Sequence, residues 1–509
     1  MIRDLDQETH TLHAANFVII GGGTIGLLIA QKIAKLELGK VVVLELGGEK
    51  VSSAAESLPK VLFPKEQYAG AADGRFVGLG GTSARWGGAM IPFLPEDFQS
   101  EFRDLVIETN QYVSEIEGIF SLPQGPYEVQ DSITFPSYVT RLAKWPKFSK
   151  RNLAQLLEGD MKSLPNLFIY KNAKVKKFNG KNSKIISVEV ENSKVHNYLF
   201  ESEKFIIAAG AIESTRMLLE IEEEYSESEN SRSKSMTGSF FSDHLSVKIA
   251  NLSPIDKTKL NMLLGYRFAS GGSMSNIRFE LEPDSSARKF LPPHFIHISF
   301  NTNLPGAFGT LREIFRILQE GGFPPAGHFL KLLSYFPWIL RALFWRFFRR
   351  RLLYPDNAEI EMHLVIQQEP DAGNQVLLYK KSDANDENRA IQISWEVTQR
   401  DITNTLRVFK HFKAVWHESE CINYVDAIFL DDEEVLSTLS KGGGIYHPSG
   451  STRISFNGHE GSVDSNLKVN AMDNLYLVST SVLNSGGAAN PTMTEMMLGL
   501  RLVDYLGKE

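Results

Sequence analysis

A glycine-rich turn between two short apolar segments constrains the fold of this chain more than any other feature of its sequence. Phe17 to Ile20 is continuously apolar, as expected for a strand that is buried on both faces. The turn Gly21-Gly22-Gly23-Thr24-Ile25-Gly26 follows, and the next residues, Leu27 to Leu36, have helical spacing. A second apolar run, Val41 to Leu44, ends in Glu45. This order predicts a strand, a helix and a second strand of one parallel sheet.

The glycines have the spacing G-x-G-x-x-G at positions 21, 23 and 26. The first glycine permits a tight turn, the second lets a pyrophosphate approach the backbone, and the third lets the helix pack closely on the strand. Glu45 lies roughly 20 residues further on, where an acid can hydrogen-bond a ribose hydroxyl. The pattern therefore predicts FAD or NAD. A glycine-rich turn without a ligand is the alternative, and Glu45 disfavours the 2′-phosphate of NADP.

Bulk properties narrow the class of protein. A chain of 509 residues exceeds one compact core, which predicts two domains. The formal charge of -7 argues against a nucleic-acid partner. One cysteine, Cys421, excludes an intrachain disulfide and a cysteine-ligated metal centre, and the histidines show no metal-site spacing, so we predict no metal. The first sixteen residues lack the apolar segment of a secretion signal, which predicts a cytoplasmic protein.

Further segments support a ligand-binding α/β fold. Residues 78–88, GLGGTSARWGG, form a second glycine-rich loop, suited to a backbone that lies flat against a large planar ligand. At residues 205–214 a strand runs into a small-residue turn that opens a helix. Near the end of the chain, Pro491 is predicted at the first position of another helix. Apolar alternation and turn-forming breaks predict strands within residues 365–397.

Together these motifs resemble the glucose–methanol–choline (GMC) family of FAD-dependent oxidoreductases over most of the chain. The resemblance rests on the first fingerprint and on GLGGTSARWGG, FIIAAGAIESTRML, SDHL (242–245), HPSGSTRI, VDSNLKV and NPTMTEMML. It implies an α/β fold with a discontinuous, Rossmann-like FAD-binding domain and an α+β substrate domain that contains an antiparallel sheet. The FAD-binding parts are expected at 14–100, 161–245 and 441–509, with a connecting, substrate-side segment at 101–160 and the substrate-binding domain at 246–440.

The resemblance also implies which residues bind the cofactor. Some family members attach FAD covalently through a histidine in the loop after GGTS, but this loop has none through Gly88, which predicts non-covalent FAD. Ser479 replaces an acid often found in the C-terminal motif, which weakens its assignment to the flavin phosphate or ribose. The expected cofactor-binding residues are Gly21, Gly23, Thr24, Ile25, Gly26, Glu45, Gly80, Gly81, Thr82, Arg85, Trp86, Gly87, Val175, Ala209, Gly210, Ser479, Asn490, Pro491 and Thr492.

By the same resemblance, the catalytic residues are His447 and Asn490. Oxidation of an alcohol removes a hydroxyl proton and a carbon-bound hydride; flavin accepts the hydride, and a neutral imidazole suits the proton. Asparagine cannot act as a base at neutral pH, so Asn490 is expected to hydrogen-bond the substrate hydroxyl or the flavin edge. The alternative is a core histidine and a helix-capping asparagine. His244 in SDHL is interpreted as structural, and for Trp86 a packing role competes with cofactor contact.

The expected substrate is a small-molecule alcohol, specifically a sugar or polyol, because GGTSARWGG and NPTMT most resemble family members that act on such compounds. The electron acceptor stays open between dioxygen, a quinone and a protein. Two other functions compete with alcohol oxidation. One is a family-type lyase that keeps FAD without net redox chemistry, and the other is a non-catalytic flavin-binding subunit.

Residues 329–353, FLKLLSYFPWILRALFWRFFRRRLL, contain six cations and no acid within an otherwise acidic chain. Pro337 is expected to divide the segment, with a helix from Trp338 to Leu353. Three interpretations compete: a buried helix of the substrate domain, a peripheral contact with an anionic membrane, and a docking face for a partner subunit.

Overall fold

The computed structural model describes residues 1–129, 135–225, 236–301, 306–355, 358–379, 390–442, 444–457 and 460–509. These residues form a mixed α/β fold. The strands are β1 Ile2–Asp4, β2 Leu12–Ile20, β3 Val41–Leu44, β4 Ser52–Ser53, β5 Val61–Leu62, β6 Phe76–Val77, β7 Tyr138–Trp145, β8 Leu167–Lys171, β9 Lys174–Lys181, β10 Lys184–Glu191, β11 Asn197–Ile207, β12 His244–Pro254, β13 Arg267–Phe268, β14 Met274–Leu281, β15 His294–Asn301, β16 Glu359–Gln367, β17 Gln375–Leu378, β18 Ile391–Ser394, β19 Val425–Phe429 and β20 Leu475–Leu477.

The helices are α1 Thr24–Lys35, α2 Ala54–Ser57, α3 Ser100–Thr109, α4 Val113–Ile119, α5 Leu153–Leu156, α6 Glu158–Ser163, α7 Ala211–Tyr225, α8 Lys257–Leu264, α9 Ala307–Gln319, α10 Ala326–Leu333, α11 Phe336–Phe344, α12 Gln399–Glu418, α13 Asp432–Gly442 and α14 Thr492–Leu506. A π-helical turn, Trp345–Arg349, follows α11 directly.

The first large sheet has the strand order β1-β8-β3-β2-β11-β10-β9, and β20 pairs with β11. Its pairs are parallel from β1 to β11 and for β20, whereas β9 and β10 form an antiparallel ribbon beside β11. The two apolar runs of the glycine fingerprint are neighbours here, with Ile20 opposite Leu44. Every residue from Phe17 to Ile20 and from Val41 to Leu44 is buried. The predicted strand, helix and second strand are therefore present.

The two ends of the chain share one core. Helix α1 packs against α14, where Gly499 lets Ile29 approach closely; a Cβ atom on Gly499 would lie 3.2 Å from the Cγ1 atom of Ile29. Strand β20 extends the parallel sheet beside β11. Pro491 is the N-cap residue of α14, and the helix begins at Thr492. The helix therefore starts one residue later than the sequence predicts.

The second large sheet is antiparallel, with the order β13-β14-β15-β16-β12-β19 and β7 added beside β14. The aromatic residues Phe409, Phe412 and Trp416 of α12 are buried in its core. Strands within 365–397 divide between two sheets, because β16 belongs to this one while β17 and β18 form a small sheet with β5. Residues 380–389 of that segment lie outside the described residues.

The apolar, cationic segment differs from its prediction. Helix α11 begins before Pro337, which occupies the first turn, where its missing N–H costs little. The break therefore lies ahead of the proline, between α10 and α11. None of the residues of α10, α11 or the π-helical turn is buried, so the interpretation as a buried helix is wrong. Among the helices of the described residues, none has the length and apolarity needed to cross a bilayer.

A buried ion pair joins β7 to β14. The guanidinium of Arg141 lies 2.5 Å from a carboxylate oxygen of Glu280, and both side chains are almost completely buried. We expect Glu280→Ala to lower the free energy of unfolding by about 3–5 kcal/mol, because Arg141 would keep its charge in the core without its partner. Urea unfolding followed by circular dichroism measures the change.

The matched control is Glu313→Ala, which removes the nearer of the two acidic partners of the exposed Arg316 and should change the same quantity by less than about 1 kcal/mol. Equal losses in the two variants would contradict the prediction.

Candidate active site

A deep cleft opens at the carboxyl ends of three parallel strands. Ile20, Leu44 and Ala208 stand at or just after the ends of β2, β3 and β11, and all three line the cleft. It encloses a cavity of about 270 Å³. Ligands of open α/β sheets bind at this edge. The cleft is therefore correctly placed for a dinucleotide.

The glycines of the first turn have different surroundings. A Cβ atom on Gly26 would lie 1.9 Å from the carbonyl oxygen of Gly21, so the helix packs on the turn only without a side chain there. A Cβ atom on Gly23 would meet no atom within 4 Å. Gly23 also precedes α1 without a side-chain cap, which leaves N–H groups at the helix N-terminus for an anion. This cradle fits the pyrophosphate of FAD.

Glu45 connects three glycine-rich turns. Its carboxylate accepts hydrogen bonds from the backbone N–H groups of Gly22 at 2.7 Å, Gly47 at 2.8 Å and Gly78 at 2.9 Å. Burial raises the pKa of this carboxyl, and the three N–H groups oppose the rise. Glu45 also lines the cleft, so it has a structural role beside the predicted ribose contact.

The structure divides the expected cofactor-binding residues into two groups. Those that line the cleft are Gly21, Gly23, Thr24, Ile25, Glu45, Gly81, Thr82, Trp86, Val175, Ala209, Gly210 and Thr492. Those that do not are Gly26, Gly80, Arg85, Gly87, Ser479, Asn490 and Pro491.

Contacts explain why several of the second group lie apart from the cleft. Arg85 forms a salt bridge of 3.1 Å with Glu320, and its guanidinium lies 5.4 Å from the ring centre of Phe76. Ser479 is completely buried, and its hydroxyl group is hydrogen-bonded to the hydroxyl group of Ser481. Trp86, in the first group, donates from its indole nitrogen to the carbonyl of Arg151 at 3.0 Å and lines the cleft, so it combines a packing contact with access to the cleft.

Charged residues that sequence reasoning did not find also line the cleft. Glu213 is buried between Arg75 and Arg216. Burial alone would raise the pKa of Glu213, but the two arginines outweigh it and lower the pKa. Burial raises the pKa of Glu495 to about 8. Glu213 lies within FIIAAGAIESTRML and Glu495 within NPTMTEMML, and this was the one feature of the sequence that could have placed them at the cleft.

His447 and Asn490 meet beside this cleft, although 43 residues separate them in the chain. The amide nitrogen of Asn490 lies 3.2 Å from Nε2 of His447, and Arg278 donates to the Asn490 Oδ1 at 2.9 Å. Asn490 therefore contacts the histidine and does not cap α14. The flanking residues Tyr446 and Pro448 line the cleft, while the His447 side chain is partly buried.

A second histidine completes a chain of hydrogen bonds. Nδ1 of His447 lies 3.2 Å from Nδ1 of His244, whose Nε2 lies 2.9 Å from the carbonyl oxygen of Gly487. A carbonyl can only accept, so His244 donates from Nε2 and, when neutral, accepts at Nδ1. His447 must then carry its proton on Nδ1. Sequence reasoning interpreted His244 as structural, and the SDHL motif gave no sign of this contact.

The hydrogen bonds of Asn490 independently indicate the same protonation of His447. Arginine can only donate, so the atom of Asn490 that faces Arg278 is the oxygen, and its NH₂ group faces His447. Nε2 of His447 is therefore an unprotonated acceptor. Burial, His244 and Arg278 hold the pKa of His447 well below 6.5, and burial lowers the pKa of His244 to about 4. The arrangement keeps a neutral base with a lone pair on Nε2.

Asp243 fixes the backbone beneath both histidines. Its carboxylate accepts from the backbone N–H groups of His244 at 2.6 Å, His447 at 2.9 Å and Tyr446 at 3.0 Å, and from the Tyr68 hydroxyl at 2.5 Å. Burial raises the pKa of Asp243 to about 6 against these bonds. Among the described residues, Asp243, His244 and His447 also form the one cluster with spacing suited to a metal ion. The atoms that could bind the ion already take part in hydrogen bonds.

Comparison with known proteins supports an oxidoreductase. Residues 370–499 match the family model described as GMC oxidoreductase, and that region contains His447 and Asn490. No curated protein is significantly similar in sequence.

Solved structures show the same fold. Pyridoxine 4-oxidase from Mesorbium loti aligns with a TM-score of 0.59 and 15% identity over 96% of this chain and 98% of that protein. A formate oxidase variant from Aspergillus oryzae RIB40, studied for FAD modification, aligns with a TM-score of 0.57 and 15% identity over 98% and 99%. These structural likenesses show the fold alone, and the family-model match over residues 370–499 supports an oxidoreductase.

Substitutions at the two glycines should separate cofactor binding from folding. We expect Gly23→Ala to leave the thermal unfolding of the flavin-free protein unchanged but to weaken FAD binding at least about tenfold, because the added methyl group occupies only the open cradle. Gly26→Ala should lower the unfolding temperature of the flavin-free protein itself, because its methyl group collides with the backbone of Gly21. Flavin titration and calorimetry give the two readouts.

Gly159→Ala in α6 is the control, since a Cβ atom there also meets no atom within 4 Å and the residue does not line the cleft. It should leave flavin affinity unchanged and should not lower the unfolding temperature, because alanine favours a helix more than glycine does. Equal flavin affinity for the Gly23→Ala variant and the parent protein would contradict the assignment of the cradle.

Proposed function

We propose that this protein oxidises an alcohol to a carbonyl compound, with His447 as the base. One observation carries the proposal: the hydrogen bonds from Gly487 through His244, His447 and Asn490 to Arg278 leave an acceptor nitrogen on a neutral imidazole. Bound FAD would supply the acceptor for the hydride. The family-model match over residues 370–499 supports the same reaction class.

The cofactor would be held mainly by the backbone. The open cradle at Gly23 and the free N–H groups of α1 suit the pyrophosphate, and Glu45 suits a ribose hydroxyl. We propose a discontinuous, Rossmann-like FAD-binding domain from residues 14–100, 161–245 and 441–509, with 246–440 as the substrate domain. Because no histidine lies among the described residues that line the cleft, we propose non-covalent FAD.

His447 would remove the hydroxyl proton of the substrate at Nε2. Asn490 donates to that nitrogen in this structure, so its NH₂ group must turn to the substrate oxygen when the substrate binds. Arg278 holds the amide oxygen and limits this movement to a small displacement. His244 keeps the other proton of His447 on Nδ1, so that Nε2 is the atom free to react. The base and the substrate hydroxyl are thereby aligned before the reaction.

The substrate class rests on the family resemblance, and we propose a sugar or polyol. The electron acceptor stays open. A lyase would need the same base, but it would convert substrate without reducing the flavin.

Replacement of the base should slow flavin reduction without removing the cofactor. We expect His447→Ala to retain FAD while lowering the anaerobic rate of flavin bleaching by an alcohol by about 10²–10⁴-fold. Rapid mixing with sugars and polyols, followed by flavin absorbance, measures the rate. A rate equal to that of the parent protein would remove His447 from the mechanism. Carbonyl formation without bleaching would replace the proposal with the lyase.

His244 should act by positioning His447. Replacement by phenylalanine removes the acceptor for the Nδ1 proton, so the unreactive tautomer of His447 becomes accessible and the rate of flavin reduction should fall about tenfold or more. In His244→Asn the amide oxygen can accept that proton, so part of the rate should return. Loss of activity in both variants with lowered thermal stability would indicate a purely structural role.

The pH dependence should reflect a base that stays neutral well into the acid range. A base with a lowered pKa is active above that pKa and is lost as the pH falls through it. We therefore expect the rate of flavin reduction to fall, as the pH is lowered through the pKa of His447, only well below 6.5, the ordinary value for histidine. An acidic limb near pH 7 would contradict the assignment.

A further inference from the structure

The described residues between Phe323 and Arg350 form a surface that neither the fold nor the cleft explains. We call it the basic aromatic surface; it comprises α10, α11, the π-helical turn and the loop before α10. Its side chains are unusually exposed: Phe323 is 88% exposed, Phe348 78% and Leu333 69%. Other exposed apolar residues of this surface are Phe329, Leu330, Phe336, Leu340, Leu343, Phe344 and Phe347. A surface of this kind marks an interaction site, because such a large apolar patch is rare on a monomer.

The charge of this surface has one sign. From Gly321 to Pro355 the chain contains six lysines and arginines and no acid, although the whole chain has a formal charge of -7. The cations accompany the aromatic rings: Arg346 lies over Phe268 at 4.4 Å, and Arg349 lies over Trp345 at 5.3 Å. A complementary partner must therefore accept apolar side chains and carry negative charge.

The surface is attached firmly to the rest of the molecule. Before it, Gln319 donates to the carbonyl of Trp86 at 3.0 Å. After it, Arg351 donates to the carbonyl of Met262 at 3.0 Å, and Asn261 donates to that of Leu352 at 3.0 Å. The exposed side chains therefore project from an anchored element whose first contact lies beside the cleft.

We propose that the basic aromatic surface docks on a lipid membrane that contains anionic lipids. Short amphipathic helices with phenylalanine, tryptophan and leucine on one side and arginine or lysine on the other bind at the boundary between headgroups and acyl chains. Anionic headgroups attract the cations. A second copy of the chain fits less well, since a two-fold contact through this surface would bring its cations together.

Vesicle binding tests the proposal on the full-length protein with its flavin. One set of vesicles contains phosphatidylcholine alone, and the other contains phosphatidylcholine mixed with phosphatidylglycerol. We expect sedimentation with the anionic vesicles, weaker sedimentation with the neutral ones, and release from the anionic set by high salt. Flavin absorbance reports the bound protein without requiring activity, so this test does not depend on the proposed reaction.

Two paired variants separate the apolar and electrostatic contributions. Phe347→Ser with Phe348→Ser should weaken partition to anionic vesicles at least about tenfold. Arg349→Gln with Arg350→Gln should also weaken it about tenfold or more, and should reduce the salt dependence. The controls remove similar side chains elsewhere: Leu12→Ser with Ile428→Ser for exposed apolar residues, and Lys289→Gln with Arg400→Gln for exposed cations. Neither control should change partition.

Three outcomes would overturn the proposal. The first is failure to bind either set of vesicles, and the second is binding by the surface variants that equals the parent protein. The third is a dimer in light scattering that the phenylalanine variant dissociates, which would assign the surface to a second copy. Unfolding curves of the variants identify any that fail to fold, and the second paired variant then decides.

Discussion

The hydrogen bonds to the buried carboxylate of Glu45 are the interactions on which the cleft depends. The carboxylate accepts hydrogen bonds from backbone N–H groups in the turns around residues 22, 47 and 78. These turns are distant in sequence, and each contains glycine. A buried carboxylate must be hydrogen-bonded, and three backbone N–H groups satisfy this one. The first turn, the end of β3 and the loop toward Trp86 thereby hold fixed positions around one space.

The two imidazoles and the amide beside the cleft depend on a second carboxylate. Asp243 binds the backbone of residues 244, 446 and 447, so the strand that begins at His244 and the loop before Pro448 cannot separate. The loop of Asn490 is held by different partners, since the N–H groups of Gly487 and Ala488 donate to Gln367 and Asp97. The start of β12 and two loops therefore place two imidazoles and one amide in a row.

Local pattern was sufficient to predict part of this arrangement. Apolar runs, glycine spacing and helical periodicity act over a few residues, so β2, α1 and β3 could be placed from the sequence. The contact between His447 and Asn490 was reached only through the family resemblance. Arg278 and His244 were not found as their partners, because a contact between β14, β12 and two C-terminal loops depends on tertiary packing. For residues 326–349 the sequence left three interpretations, since amphipathic periodicity does not say whether a partner covers the helix; the absence of buried residues there removed one of them.

The setting of the imidazole pair bears on what happens after each turnover. His447 lies against a second histidine and near a buried arginine, and Asp243 bonds to backbone N–H groups rather than to either imidazole ring. These surroundings stabilise a protonated, positively charged His447 poorly. In the proposed reaction, a proton taken from one substrate would be passed to solvent before the next substrate arrives, along the part of His447 that is not covered. The enzyme would then return to its resting protonation state without help from a carboxylate relay.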